Sequence, residues 1–333
     1  VVSRTADDLA LIQFSSGTTV APKPAALSHG AVDAQDSALN GLWPDSDACV
    51  HSGVSWLPLY PDMGLVGCVV TALERPGTVT LIPPELFLAR PAVWLRAIST
   101  TSATISVAPN FAYGLCVEKI GDDDLEGVDV SSWRVALCGA EPVVPQVLRR
   151  FIRRFSPYGL RPEAVTPVYG LSEATLAVTF SAIDTPFVSR RFDREALSRD
   201  GRAVEAADGL ELVSVGRPVG DAAVRIVDAD GADLPDGLIG ELLTRGSSLM
   251  AGYFGRPKAT REVLRDGWLH TGDLGFRHDG ELYLTGRGKD LLIIRGRNHS
   301  PTEVEVAADG VPGVRTGCSV AVSWLPDGAD GEV

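Results

Sequence analysis

From about Asp8 to Phe180, short runs of β-branched and apolar residues alternate with stretches of helical periodicity, and this alternation leaves few folds open. Strands joined through helices pair in parallel, because a parallel crossover needs a dozen or more residues. The predicted strands are LALIQF (9–14), VTLIPP (79–84), ATISVAP (103–109), WRVALCG (133–139) and AVTPVYG (164–170). Helical spacing covers Gly30 to Leu39, Met63 to Leu73, Pro91 to Ile98 and Val144 to Phe155. In the last of these, Val144, Leu148, Phe151, Ile152 and Phe155 share one face, while Arg149, Arg150, Arg153 and Arg154 take the other. The first reading of the arginine face is a solvated helix surface, and the second a landing site for an acidic partner. The class expected is α/β, a mostly parallel sheet with helices packed on its faces.

From about Leu210 to Tyr283 the rhythm changes to short strands and Gly or Asp turns: LELVSVG, AAVRIVD, GELLTRG, WLHTGD and GELYLTG. A small antiparallel β subdomain is predicted there. Beyond Arg287, LLIIRGRN, the short helix PTEVEVAA and the strand SVAVSWL resemble the opening of an α+β domain. The expected division is a large domain over 1–288 and, from 289 to 333, a hinge followed by the start of a small domain; 333 residues suit about two domains.

The net charge of −13 gives no attraction to a phosphate backbone or an anionic membrane surface, so nucleic acid is a poor ligand. The longest apolar runs, such as Leu65 to Leu73, fall far short of the roughly 20 residues that span a bilayer. The start, VVSRTADDLA, lacks the pattern of a secretory signal, and a cytoplasmic protein is expected. Five scattered cysteines without CxxC spacing suit reduced thiols, and the five histidines lack metal-ligand spacing.

Chemistry is first suggested by FSSGTTVAPKP (14–24), placed directly after a strand. Its hydroxyls, backbone N–H groups and the Lys23 ammonium suit a polyphosphate, although such a run is also what a solvated loop looks like. Four further segments follow in order: CGAEP (138–142), VYGLSEAT (168–175), HTGDLGF (270–276) and GRGKDLLIIRGRNHSPTEVE (286–305). Together the five resemble the adenylate-forming superfamily of acyl-CoA synthetases, luciferases and peptide-synthetase adenylation domains.

The resemblance implies a role at each matching position. Ser15, Ser16, Gly17, Thr18, Thr19 and Lys23 would close over the β and γ phosphates of ATP, with Thr18 and Lys23 acting in catalysis. The backbone of Gly139, Ala140, Glu141 and Pro142 and the ring of Tyr169 would hold adenine, with Gly170 and Ser172 in the same nucleotide site. Glu173 would coordinate Mg²⁺. Asp273 would accept both ribose hydroxyls, assisted by Arg287, and Lys289 would be the hinge of the small domain. These roles are chemically sensible: a carboxylate accepts two cis hydroxyls, an aromatic face stacks on a purine, and a hard cation prefers carboxylate oxygen.

A narrower resemblance lies in SWLPLYPDMGLVG (55–67), SVAPNFAYGLCVEKI (106–120), SSWRVALCGAEPV (131–143), RPEAVTPVYGLSEAT (161–175) and RGRNHSPTEVE (295–305), which look like the fatty acyl-AMP ligases. Glu173 and Gly216 are 43 positions apart, longer than in typical CoA ligases, and Phe180 to Leu210 would be the insertion of the acyl-AMP ligases. The implied reaction joins a fatty acid to ATP, giving an acyl adenylate that passes to the phosphopantetheine thiol of an acyl carrier protein. An acyl-CoA synthetase and a nucleotide-binding pseudoenzyme are the alternatives. Three departures stand out. Val20 and Pro24 replace glycines of the phosphate loop, Pro61 replaces a histidine, and the segments that relatives carry before Val1 and after Val333, including a catalytic lysine, are expected to be missing.

Overall fold

The computed structural model describes residues 3–14, 22–43, 50–60, 62–74, 77–288, 292–294, 297–299, 301–309, 311–314 and 319–322. The chain opens with strands β1 (Leu9–Phe14) and β2 (Pro24–Ser28), paired antiparallel with Phe14 opposite Pro24. The Ser28 hydroxyl accepts the Ala31 N–H at 3.1 Å and so caps helix α1 (His29–Leu42). There follow β3 (Gly53–Ser55), a helical stretch whose middle part Leu65–Val70 is π-wound, β4 (Val79–Leu81), α2 (Ala92–Thr101) and β5 (Ile105–Ala108). Next come α3 (Asn110–Lys119), β6 (Val135–Cys138), α4 (Pro145–Phe155), β7 (Val165–Gly170) and β8 (Ala177–Phe180).

The later strands are β9 (Ser189–Phe192), β10 (Leu210–Val213), β11 (Arg217–Pro218), β12 (Ala223–Val227), β13 (Gly240–Arg245) and β14 (Gly252–Tyr253). After them run β15 (Leu264–Arg265), β16 (Trp268–His278) and β17 (Glu281–Arg287). The central sheet has the order β11-β8-β7-β6-β5-β3-β4, parallel from β4 through β7 and antiparallel where β8 and β11 fold back. Strands β12, β13, β15, β16 and β17 build the predicted antiparallel sheet.

Several expectations need correction. LALIQF is a strand but not of the parallel sheet: with β2 and β14 it makes a separate antiparallel sheet. Residues 15–23 are too few for a helical crossover, so β2 pairs with β1 antiparallel rather than through a parallel crossover. Helix α3 has no amphipathic stripe to betray it, because Asn110, Ala112, Tyr113, Gly114, Leu115 and Cys116 are all buried. WLHTGD belongs to the single long strand β16, which runs on through HTGDLGF. LELVSVG splits, its first four residues pairing with β9 rather than joining the five-stranded sheet. Of SVAVSWL only 319–322 are described; they form no strand, and Val320 and Val322 stand 79% and 70% exposed, without the pairing a strand needs. Ahead of it, an antiparallel pair of Leu292–Ile294 with Arg297–His299 and a helix at Pro301–Asp309 are in place.

The core under the central sheet is aromatic, and several of its polar atoms find partners inside it. Trp94 stands edge-on to Trp133 at 5.1 Å and to Tyr113 at 5.6 Å, while its Nε1–H donates to Ser106 Oγ at 2.8 Å. The Tyr113 hydroxyl, pushed upward in pKa by burial, donates to the Leu137 carbonyl at 2.7 Å. Such bonds keep the rings from costing unpaired donors and fix β5 and β6 against α2 and α3.

The 181–209 segment is docked. Phe192 is fully buried and meets Phe276 and Tyr283 edge-on at 5.0 and 5.6 Å. On the arginine face of α4, Arg149 donates to Ser189 Oγ at 2.8 Å and to both oxygens of Glu211, whose carboxyl it holds below the usual range. Arg154 pairs with Asp122 at 2.6 Å. Two of the four arginines are thus engaged within the chain. Among the described residues no helix is long and apolar enough to cross a membrane.

Removing the ring that anchors this segment leaves a cavity under it. Phe192→Ala is expected to cost about 3–5 kcal/mol of stability, measured by urea unfolding; a loss below about 1 kcal/mol would show that the docking contributes little.

Candidate active site

The site forms where the parallel strands β5, β6 and β7 end, the position at which open α/β sheets bind ligands. After β6 the chain turns at Gly139 to Pro142. A side chain on Gly139 would lie 2.9 Å from the Val168 carbonyl, so glycine lets β6 and β7 stay close. Ala140 takes a left-handed φ of 66°, a conformation held because Glu141 reaches back to accept the Phe111 N–H at 2.5 Å. The end of β7 is tighter still. At Gly170 a Cβ would sit 1.8 Å from the Leu176 carbonyl, which accepts the Leu171 N–H at 2.8 Å. Buried Thr175, at φ 67°, closes the turn by donating to the Ser248 carbonyl at 2.6 Å.

This turn presents Ser172 and Glu173. Tyr253 on β14 donates its hydroxyl to Glu173 Oε1 at 2.7 Å, and the Glu173 carbonyl accepts the Met250 N–H at 2.8 Å. Lys23 Nζ lies over the Tyr253 ring, 5.0 Å from its centroid. Burial and the Glu173 charge push the Tyr253 phenol up in pKa, so it stays a donor. On the other side, Ser172 Oγ donates to Asp62 Oδ2 at 2.7 Å, and Asp62 Oδ1 accepts the Met63 N–H at 2.8 Å. Burial raises the Asp62 pKa despite these bonds.

A second cluster joins β7 to the antiparallel sheet. Asp273 on β16 and Arg287 on β17 are register partners, and Arg287 Nε donates to Asp273 Oδ1 at 2.9 Å. The Tyr169 hydroxyl donates to Asp273 Oδ2 at 2.6 Å. Burial, and then the charge of Asp273, push the Tyr169 phenol well up. The Asp273 N–H donates to Thr271 Oγ1 at 3.0 Å, fixing the carboxylate's stem.

One cavity of about 1560 Å³ contains both clusters in or beside its wall. Lys23, Ala140, Tyr169, Gly170, Ser172, Glu173, Tyr253 and Arg287 line it, together with an apolar set that includes Leu39, Trp43, Val54, Met63, Val107, Leu176 and Phe180. Its size exceeds the roughly 300–1,000 Å³ of a typical small-molecule pocket, leaving space for a nucleotide and an apolar chain together. Asp273 is 7% exposed and borders this wall through Tyr169 and Arg287. Gly139, Glu141 and Pro142 adjoin it through Ala140.

Of the expected site residues, Ser15, Ser16, Gly17, Thr18, Thr19 and Lys289 lie outside the described residues, as do Val20 and Pro61. The fold brings together Lys23 with Glu173, and Tyr169 with Asp273 and Arg287. Sequence reasoning missed Tyr253 and gave Asp62 no role. Tyr253 is 80 residues from Glu173, and Asp62 is 110 from Ser172, so only the fold makes either pair. A signal existed for Asp62 alone, since an acid inside the apolar run LPLYPDMGLVG calls for a partner.

Comparison with known proteins agrees with this geometry. Residues 1–254 match the family described as AMP-binding enzyme, and the chain belongs to it. It is 39% identical to a 4-hydroxyphenylalkanoate adenylyltransferase of Mycobacterium marinum over 97% of this chain and 54% of that protein. It is 38% identical to the long-chain-fatty-acid–AMP ligase FadD26 of Mycobacterium bovis over 94% of this chain and 57% of that one. Among solved structures it resembles the fatty acyl-adenylate ligase of L. pneumophila in complex with acyl adenylate and pyrophosphate. There the TM-score is 0.83 at 36% identity, covering 93% of this chain and 56% of the other. The chain thus spans little more than half the length of these relatives.

The raised pKa of Asp62 sets a test. Its folded state binds the proton more tightly than the unfolded chain, so its contribution is fully present below the ordinary carboxylate pKa and is lost as pH rises through the folded value. Asp62→Asn should gain stability over the parent on going from pH 4 to pH 7 in thermal unfolding. A Tm difference that does not change with pH would contradict it.

Proposed function

We propose that the protein containing this chain activates a carboxylic acid, a fatty acid by its apolar wall, by joining it to the α-phosphorus of ATP. The products are an acyl adenylate and pyrophosphate. The observation that carries this reading is the single cavity in which Lys23, Glu173 and the Tyr169–Asp273–Arg287 cluster share a wall with Leu39, Trp43, Met63 and Phe180. The similar long-chain-fatty-acid–AMP ligase and the acyl-adenylate complex support it.

In this reading the acid's chain occupies the apolar wall and its carboxylate faces the α-phosphorus, attacking as pyrophosphate leaves. Asp273 binds the ribose hydroxyls, each of its oxygens keeping a lone pair beyond the one used by Tyr169 or Arg287. The ring of Tyr169 and the Gly139 to Pro142 backbone flank the adenine, with Gly170 and Ser172 beside it. Lys23 supplies positive charge to the β and γ phosphates, with Ser15 to Thr19 around them. The protein's share of the catalysis is positioning and electrostatic stabilisation of charge spread over the phosphates.

A magnesium ion fits Glu173. Among the described residues no group of three or more His, Cys, Asp or Glu is arranged to hold a metal, so a protein cage is not what this site offers. A single carboxylate beside phosphates is the usual Mg²⁺ arrangement. The bound ion would neutralise phosphate charge, and Glu173 would hold it there.

The acyl group then passes to the phosphopantetheine thiol of an acyl carrier protein, forming a thioester and releasing AMP. The docked 181–209 segment favours this acceptor over CoA, since the resemblance associates such an insertion with hindering CoA use. Acyl-CoA synthesis is the competing reading. Lys289 remains the proposed hinge of a small domain from 289 onward.

The complete reading frame containing these residues, given Mg·ATP, a panel of carboxylic acids, CoA and a phosphopantetheinylated carrier, should yield acyl adenylate and acyl-carrier without acyl-CoA, followed by mass spectrometry. Acyl-CoA would move the protein to the synthetase branch, and no adenylate from any acid would leave a nucleotide-binding protein without turnover.

A further inference from the structure

We propose that Tyr253 is a positioning residue for Glu173, holding its carboxylate in the orientation that meets a nucleotide-bound divalent cation. The inference rests on the role given to Glu173 above. Its basis is that one ring touches both charged groups on this side of the cavity. The phenol donates to Glu173 Oε1 at 2.7 Å, and the Lys23 ammonium lies over the ring at 5.0 Å from the centroid.

The ring itself is held. Tyr253 is 6% exposed, and its strand pairs with β2 through Gly252 opposite Ala26 and Tyr253 opposite Ala25, two residues from Lys23. Its N–H donates to Thr260 Oγ1 at 2.9 Å. Three residues earlier, the Met250 N–H holds the Glu173 carbonyl at 2.8 Å. The segment 250–253 therefore grips Glu173 by main chain and side chain together. It also ties the glutamate to the same small sheet whose strand β2 begins directly after Lys23.

Physical chemistry gives this grip a purpose. A glutamate side chain is flexible, and ordering it only when a ligand arrives weakens binding, so fixing it beforehand removes that cost. A neutral phenol suits the task. It occupies one carboxylate oxygen with a single hydrogen and adds no positive charge to compete with a cation for the other oxygen. The ring's negative face meanwhile accommodates Lys23, placing the cation on the face and the anion at the hydroxyl.

Tyr253→Phe removes one oxygen and keeps the ring, its packing and the contact with Lys23. In the complete reading frame, ATP affinity is measured by calorimetry with and without Mg²⁺, and acyl-adenylate formation is followed against Mg²⁺ concentration. The expected result is about a tenfold loss in the Mg²⁺-dependent part of ATP affinity and about a tenfold higher half-saturating Mg²⁺. ATP affinity without Mg²⁺, the KM for the acid and the Tm should stay close to the parent. In a Glu173→Gln background the same change should add no further loss, because the group it positions is already altered.

Unchanged Mg²⁺ dependence in Tyr253→Phe would overturn the inference, as would losses that simply add in the double variant or a fall in Tm that accounts for the whole effect. A parent protein whose ATP binding ignores both Mg²⁺ and Glu173→Gln would instead overturn the role of Glu173 itself.

Discussion

At position 170 the backbone of β7 comes so close to the Leu176 carbonyl that no side chain can be built there. The rest of the site depends on that contact. Because the turn from Leu171 to Leu176 folds tightly back, β8 can pair antiparallel with β7 at once. Tyr169 lies just before the turn and Glu173 within it. Tyr169 then reaches the antiparallel sheet through Asp273, and Glu173 reaches the β1-β2-β14 sheet through Tyr253. Two sheets that share no hydrogen-bond ladder with each other are thus aligned by side chains from one short turn of the central sheet.

The electrostatics follow from the same arrangement. A chain of net charge −13 has no general attraction for a polyanion, so binding ATP requires local positive charge placed against the trend of the surface. Lys23 and Arg287 line the cavity, and each is held beside a group that orients it, the Tyr253 ring in one case and the Asp273 carboxylate in the other. Polar groups oriented before the ligand arrives need little reorganisation during the reaction, which is where such sites draw most of their effect.

Much of this was legible in the sequence, for physical reasons that also mark where legibility ends. Strands β5, β6 and β7 showed as apolar runs between helical stretches, and α4 through its apolar stripe and arginine face. Helix α3 was hidden because its run from Ala112 to Cys116 is buried on every side, and periodicity reports only on elements with a wet side. LALIQF announced a strand but not its partner, since an apolar run does not say which edge it joins. The arginine face read as solvated, yet Arg149 is spent on Glu211 and Ser189, a pairing that depends on where β9 and β10 dock. Tyr169, Glu173, Asp273 and Arg287 were singled out through ordered motifs. Their contacts, such as Tyr169 with Asp273 across 104 residues, exist only once the sheets are assembled. Tyr253 carried no signal because its importance lies wholly in what it touches.

The central claim is that the Tyr169–Asp273–Arg287 cluster is the nucleoside end of the cavity. The most direct test is the affinity of AMP for Asp273→Asn and for the parent protein, measured by calorimetry. The substitution keeps the shape of the side chain and removes the charge that would accept the ribose hydroxyls. The account predicts roughly ten- to a hundredfold weaker binding, measured at a temperature where both proteins are folded. Equal AMP affinity in the two proteins would contradict it and place the nucleotide elsewhere.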